Sequence, residues 1–260
     1  MTFSHSGHLG DVLYSLPAVK ILSGGEATMI IKEVFEDHRG HINGNTGQEM
    51  VNYTQYDAIK DLLLLQPYIK HVERFTPPLG FDYSPMQWPG MIHKIDYDLD
   101  RSRLQMGRKY IFHVQRYFDT FGITDDWRNY IPWLTIDEEN KTNIDFVIFH
   151  VTDRWHGFAV DWAREFESAR DKHGDGVFFT GYYHDYIKFI DYFKISVKWL
   201  PYLPTETLLD LARVVRDAQA VYCNQNCVLV LAQGLGKKYY LARNADRTHC
   251  HTNLENEILL

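Results

Sequence analysis

The sequence predicts an α/β protein of two domains, each a parallel sheet with helices on both faces. Three observations lead there. Strand-like and helix-like segments alternate at short spacing, the pattern of parallel strands joined by crossover helices. A polar stretch, residues 137–143 (DEENKTN), interrupts the chain and sets a boundary, giving domains 1–138 and 139–260. Each half also opens alike, with a strand followed by a loop of the kind that receives a ligand.

In the first half, Met1 to Phe3 is a short apolar strand and Gly7 to Gly10 its loop. A helix starts near Gly10 or Asp11, with Val12, Leu13, Leu16 and Val19 at helical spacing; Pro17 inside it predicts a kink or a late start. Ala27 to Val34 is the second strand, and the polar, glycine-rich run from Glu36 to Gln48 is a loop. Tyr56 to Gln66 is a helix, followed by a strand led by Pro67 and ending at Phe75. Thr76 to Met91, with four prolines and two glycines, is an irregular connection. From Gly107 to Gly122 an amphipathic helix carries Ile111, Val114, Phe118 and Phe121 on one face, and Gly122 stops it.

In the second half, DFVIFHV (145–151) is a buried strand. Trp162, Phe166 and Ala169 space a helix, VFFTG (177–181) is a strand, and Tyr186 to Phe193 is a short helix. ISVKWL (195–200) reads as the next strand. A helix from Thr205 to Asp217 has Leu208, Leu211, Ala212 and Val215 on one stripe. AVYC (220–223), a helix from Val228 to Leu235 and the strand KYYLA (238–242) complete the pattern. No internal repeat of 20–50 residues is present.

Composition narrows the function. With 260 residues, 45% of them hydrophobic and 15% aromatic, the chain supports a large core and is not disordered. The net charge of −7, a pI near 6.0 and the lack of a basic run give no nucleic-acid signature. No apolar stretch approaches the ~20 residues of a membrane span. There is no charged leader before an apolar run, so the expected compartment is the cytoplasm. The glycosylation patterns at Asn52-Tyr53-Thr54 and Asn140-Lys141-Thr142 then carry no weight. Three cysteines cannot all pair with one another, which fits a reducing environment. Cys223, Cys227, His249, Cys250 and His251 raise the question of a metal, but their spacing is not a zinc pattern and no metal is expected.

Three stretches, taken in order, resemble the heptosyltransferase-type glycosyltransferases, the family-9 group with a GT-B fold. They are GHLGDVLYSLPAVKIL (7–22), LLLLQPYIKHVERF (62–75) and LPTETLLDLARVVRDAQAVYCNQNCVLVLAQGLGKK (203–238). The resemblance implies two Rossmann-like domains facing each other across a cleft. It implies inverting transfer of a sugar from a nucleoside-diphosphate sugar to an acceptor hydroxyl, on a glycan, a lipid-linked sugar or another molecule, without a cofactor. The chain departs from the family pattern at Gln225, Asn226 and Cys227, where the family has Asp, Ser/Thr and Gly. It departs again at Val230, where the family has His, and it leaves little after Ala242 for a closing helix.

The resemblance assigns roles to single residues. Asp11 matches the acid proposed as general base, which takes the acceptor's proton as the hydroxyl attacks; its other reading is a first-turn acid favoured by the helix dipole. Gly7 and Gly10 give a ligand close access to backbone, or simply make a turn. His8 faces the acceptor or solvent, and so do His38 and His41. Thr152 and Arg154 are placed to hold the donor diphosphate, Arg154 through paired N–H donors; its other reading is a surface arginine paired to a nearby acid. Gly181 ends a strand, and Asp185, or its neighbour His184, is placed to contact the donor ribose. Asn224, Gln225, Asn226 and Cys227 precede a helix whose amides attract phosphate, and Asn224 or Asn226 also suits plain capping. Arg154 and that helix N-terminus supply the positive field that a metal gives elsewhere. Gln225 and Val230 favour an alternative, a GT-B-like protein that binds a nucleotide or glycan without transfer. A third reading is a nucleotide-sugar epimerase of similar fold.

Overall fold

The computed structural model describes residues 1–5, 8–32, 54–75, 95–105, 111–152, 160–242 and 250–260. They fall into two compact units, Met1–Tyr130 and Ile131–Leu260. The expected loop 36–48, Val34, the connection 76–91, and the site candidates Gly7, His38, His41, Arg154 and His249 lie outside the described residues. No helix among those described is long and apolar enough to cross a membrane.

The first unit holds a four-stranded, wholly parallel sheet. Its strands are β1 (Thr2–His5), β2 (Ala27–Lys32), β3 (Ile69–Phe75) and β4 (Tyr97–Asp98), in the order β3-β2-β1-β4. β1 and most of β2 are buried, as strands covered on both faces must be. Helix α1 (Leu9–Ser23) follows β1 and is buried continuously from Val12 to Val19, so it carries no polar face there. Pro17 neither starts nor ends α1; it sits buried within the helix, where it removes one backbone donor. Helix α2 (Thr54–Leu64) precedes β3. Helix α3 (His113–Phe121) is shorter than the apolar spacing predicts: it begins at His113, and Phe112 is already extended. Val114, Tyr117 and Phe118 form its buried face, and Gly122 ends it in the left-handed conformation at φ 67°. Strand β4 is too short to show in the sequence. It is recognised by Tyr97, stacked on Phe3 at 5.2 Å, and leads into a 3-10 turn from Leu99 to Gln105.

The second unit holds six parallel strands: β5 (Val147–His150), β6 (Val177–Thr180), β7 (Tyr202–Leu203), β8 (Ala220–Cys223), β9 (Lys238–Leu241) and β10 (Glu257–Leu259), ordered β10-β9-β8-β5-β6-β7. Its helices are α4 (Trp162–His173), α5 (Tyr183–Tyr192), α6 (Leu208–Asp217) and α7 (Cys227–Gly234). Phe149 on β5 packs against Trp162, Phe166, Phe189 and, stacked at 4.5 Å, Tyr222. Every residue that the sequence placed on the stripes of α4 and α6 is buried. Helix α6 starts with a reciprocal capping box between Thr207 and Asp210. The polar stretch 137–143 lies inside this unit, because Arg213 grips Asp137 (2.7 Å) and Glu139. Just upstream, the amides of Trp133 and Leu134 both donate to the Gly234 carbonyl.

In the second unit two elements differ from the sequence pattern. ISVKWL is a turn, not a strand. Lys194 takes a positive φ of 55°, the Ser196 carbonyl accepts from Trp199 (2.8 Å), and Val197 and Trp199 are 60% and 44% exposed. Val197 has no facing core, Ile195 packs against the core from the turn, and the strand forms only at Tyr202, after Pro201. At the other end, β10 adds a strand beside β9. It is fixed by the Glu257 carboxylate, which accepts from the Thr252 amide (2.6 Å), the Thr252 hydroxyl (2.8 Å) and the Tyr239 hydroxyl (2.8 Å), and faces His251 Nδ1 (3.2 Å). Burial alone would raise its pKa; these hydrogen bonds outweigh it and bring the pKa down to about 2.

Candidate active site

Ligands of open parallel sheets bind beyond the carboxyl ends of the strands. In the first unit those ends carry a buried charged cluster. Lys32, the last residue of β2, places Nζ 2.8 Å from Asp98 Oδ1 and 2.6 Å from Asp100 Oδ2. Ser4 donates to Asp98 at 3.1 Å, and the Asp100 amide also points at the Asp98 carboxylate. His5, the last residue of β1 and fully buried, has Nδ1 3.5 Å from Asp100 Oδ1 and Nε2 2.8 Å from the Tyr117 hydroxyl. Tyr117 in turn donates to the Asp11 backbone carbonyl at 3.0 Å.

Asp11 is the third residue of α1 and half-buried. The N-cap residue His8, also half-buried, lends the helix no side-chain hydrogen bond. A carboxylate in this first turn is favoured by the dipole, and the turn lies beyond the carboxyl end of β1. Gly10 is the second residue of the helix rather than part of a loop. Across the helix pair, Tyr14 stacks on His113 at 4.9 Å and meets Phe112 edge-on, so α3 braces α1 along its first two turns.

In the second unit the ends of β5, β6 and β8 bring most of the remaining candidates to one edge. Asn224 follows β8 and clamps Thr152: its amide donates to the Thr152 carbonyl (2.9 Å), and its oxygen accepts from the Thr152 amide (3.2 Å). Asn226 caps α7, accepting from the amides of Val228 (2.9 Å) and Leu229 (3.3 Å). Its own amide donates to the His150 carbonyl (3.0 Å) and to Asn224 (2.7 Å). The capping role is therefore realised, and two of the amides at this helix end are already claimed. Gln225 is half-buried between the two asparagines. Asp185 lies buried in the first turn of α5, while His184 is exposed. Burial pushes the Cys227 thiol up to about 11, with the nearby Asp185 charge adding to it, so Cys227 is a protonated thiol at neutral pH. Val230 is buried in the core face of α7.

Gly181 has φ +116°, which side chains rarely adopt, and a Cβ there would lie 2.4 Å from the His150 ring. His150 is buried, its Nδ1 finds no hydrogen-bond partner among the described residues, and burial lowers its pKa to about 4, keeping it neutral. The Thr180 hydroxyl, just before Gly181, is likewise buried without a partner among the described residues. Gly181→Ala is expected to cost roughly 2–4 kcal/mol through backbone strain and overpacking against His150. Urea unfolding checks this; an unchanged midpoint would show that the ring moves aside freely.

Among the described residues no group of three His, Cys, Asp or Glu side chains is arranged to hold a metal ion. Cys223 is buried and its thiol pKa is raised by that burial, and His251 is engaged with Glu257.

The sequence reading did not reach His5, Lys32, Asp98, Asp100 or Tyr117. The available signals were slight: a lysine closing the apolar run ATMIIK, and the paired acids of YDLD at 97–100.

No protein-family model matches the sequence, and no curated protein matches it. Solved structures do. The family-9 glycosyl transferase of Veillonella parvula DSM 2008 superposes with TM-score 0.60 at 13% identity, covering 100% of this chain and 84% of that one. The E. coli heptosyltransferase WaaC, solved with ADP-2-deoxy-2-fluoro heptose, gives 0.61 at 12% identity, with 100% and 92% covered. E. coli ADP-heptose LPS heptosyltransferase II gives 0.60 at 13% identity, with 100% and 89% covered. The fold is thus that of the heptosyltransferase-like glycosyltransferases over the whole chain.

Proposed function

On the premise of that shared fold, we propose that the protein transfers a sugar from a nucleoside-diphosphate donor to an acceptor hydroxyl. The observation that carries the reading is the placement of Asp11: a half-buried carboxylate in the first turn of α1, at the carboxyl edge of the first sheet, its backbone braced by Tyr117. In the reaction the Asp11 carboxylate accepts the hydroxyl proton as the acceptor oxygen bonds to the anomeric carbon. The bond to the diphosphate breaks, and the nucleoside diphosphate leaves with the electron pair. Attack from the face opposite the leaving group inverts the centre.

The donor belongs to the carboxyl edge of the second sheet. Asn224, Asn226 and Thr152 form a hydrogen-bonded floor there, Gly181 makes room for the His150 ring beneath it, and Asp185 suits the ribose hydroxyls. Asn226 already occupies two amides of α7, so the burden of balancing the diphosphate charge falls on Arg154. No metal is assigned a role.

A thermal-shift panel of nucleoside diphosphates and their sugars, on the wild type and on Arg154→Ala, tests this. A ligand at 100 times its Kd stabilises by about 2.7 kcal/mol, a shift of several degrees. The expected result is a shift with one nucleotide that Arg154→Ala loses. No shift with any nucleotide, with or without candidate acceptors, would overturn the reading.

A further inference from the structure

The buried groups of the first unit form a chain that ends on the turn bearing Asp11, and hydrogen-bonding rules fix the direction of its protons. A phenol has one proton, and Tyr117 gives it to the Asp11 carbonyl. At its 2.8 Å contact with His5 Nε2 the phenol oxygen must therefore accept, and the imidazole must donate. The second ring nitrogen lies 3.5 Å from Asp100 Oδ1, so the ring is held at both ends. His5 thus meets Asp100 from the turn after β4 and Tyr117 from α3. Behind them stand Asp98 from β4 and Lys32 from β2, and Asp11 presents its carbonyl from α1.

We propose that His5 and Tyr117 are positioning residues for Asp11. His5, held beside Asp100 and donating through Nε2, turns the Tyr117 hydroxyl onto the Asp11 carbonyl and so fixes the first turn of α1 and the carboxylate it bears. The inference rests on Asp11 being the base of the proposed transfer. It adds the device that holds that base in place, since small displacements of a reacting group are costly in rate.

The test is a double-mutant cycle on kcat with wild type, Asp11→Asn, Tyr117→Phe and the double variant. Tyr117→Phe is expected to lower kcat by roughly 10-fold or more with the donor KM unchanged, and to add no further loss in the Asp11→Asn background. Equal losses in both backgrounds, or none in either, would overturn the proposal. An Asp11→Asn enzyme as fast as the wild type would instead remove the base reading, and this inference with it. Ring 15N NMR of His5 in the wild-type protein reads the same device without any substitution. A proton on Nε2 at neutral pH is expected, and a ring protonated on Nδ1 alone would overturn the chain of donors drawn here.

Discussion

Asp11→Asn is expected to lower the transfer rate by about 10²–10⁴-fold, the usual contribution of a general base, while nucleotide binding stays intact. The substitution keeps size and hydrogen-bonding shape and removes only the ability to accept the proton. Because Asp11 lies in the first unit, and the residues assigned to the donor lie in the second, the loss should fall on kcat and not on donor KM. The contact from Tyr117 that braces the Asp11 turn uses the backbone carbonyl and is untouched by the change. Loss of the favourable first-turn charge costs only about 0.3–1 kcal/mol. Steady-state kinetics with the donor found in the thermal-shift panel makes the measurement. A variant that keeps full turnover would return Asp11 to its helix-dipole role alone. A wild type that binds the nucleotide and never turns over would support the lapsed binding protein to which Gln225 and Val230 point.

Lys32→Met should destabilise the first unit by about 3–5 kcal/mol, the cost of stranding buried carboxylates by removing their partner. Lys32 is among the largest fully buried side chains, and its ammonium contacts both Asp98 and Asp100. Methionine preserves much of the volume, so the penalty is electrostatic and not a cavity. Converting both acids to asparagine in the Lys32→Met background should therefore recover most of the loss, because a buried ion pair replaced by neutral groups is often no less stable than the pair itself. Hydrogen exchange locates the effect: amides of β1 and β2 should lose protection while those of β5 and β8 keep it. Uniform loss across both units, or no loss, would contradict the assignment.

How much of this was legible in the sequence depends on the range over which each feature is encoded. Helices α4 and α6 were, since the spacing of Trp162, Phe166 and Ala169, and of Leu208, Leu211, Ala212 and Val215, is local and each residue is buried. Asn226 could be named as a cap from its type and place, but its bond to the His150 carbonyl joins residues 76 apart and leaves no local trace. The same holds for Lys32 and Asp98, which are 66 apart, and for His5 and Tyr117, which are 112 apart. ISVKWL misled because β-propensity expresses packing against a sheet, and the chain turns at Lys194 and Ser196 before reaching one. Strands β4 and β10 are too short to carry a pattern and are held by side chains that meet only in the fold. Of the candidate site, the carboxylate of Asp11 and the asparagines after β8 were visible; the apparatus beneath Asp11 was not.

The two-residue strand β4 has a consequence for how the first unit comes together. It pairs with β1 through Phe3–Tyr97 and Ser4–Asp98, joining residues 94 apart. A ladder this short returns little against the entropy of closing so long a loop. The compensation comes from the Tyr97 stack on Phe3 and from the pull of Lys32 on Asp98 and Asp100. The sheet β3-β2-β1 has shorter loops to close and is favoured to form ahead of it. Until β4 arrives, Lys32 at the carboxyl edge of that partial sheet lacks the carboxylates of Asp98 and Asp100. The carboxylates that dock last are drawn in by this charge, so salt, which screens such attraction, acts on the closing step of assembly more than on the sheet already formed.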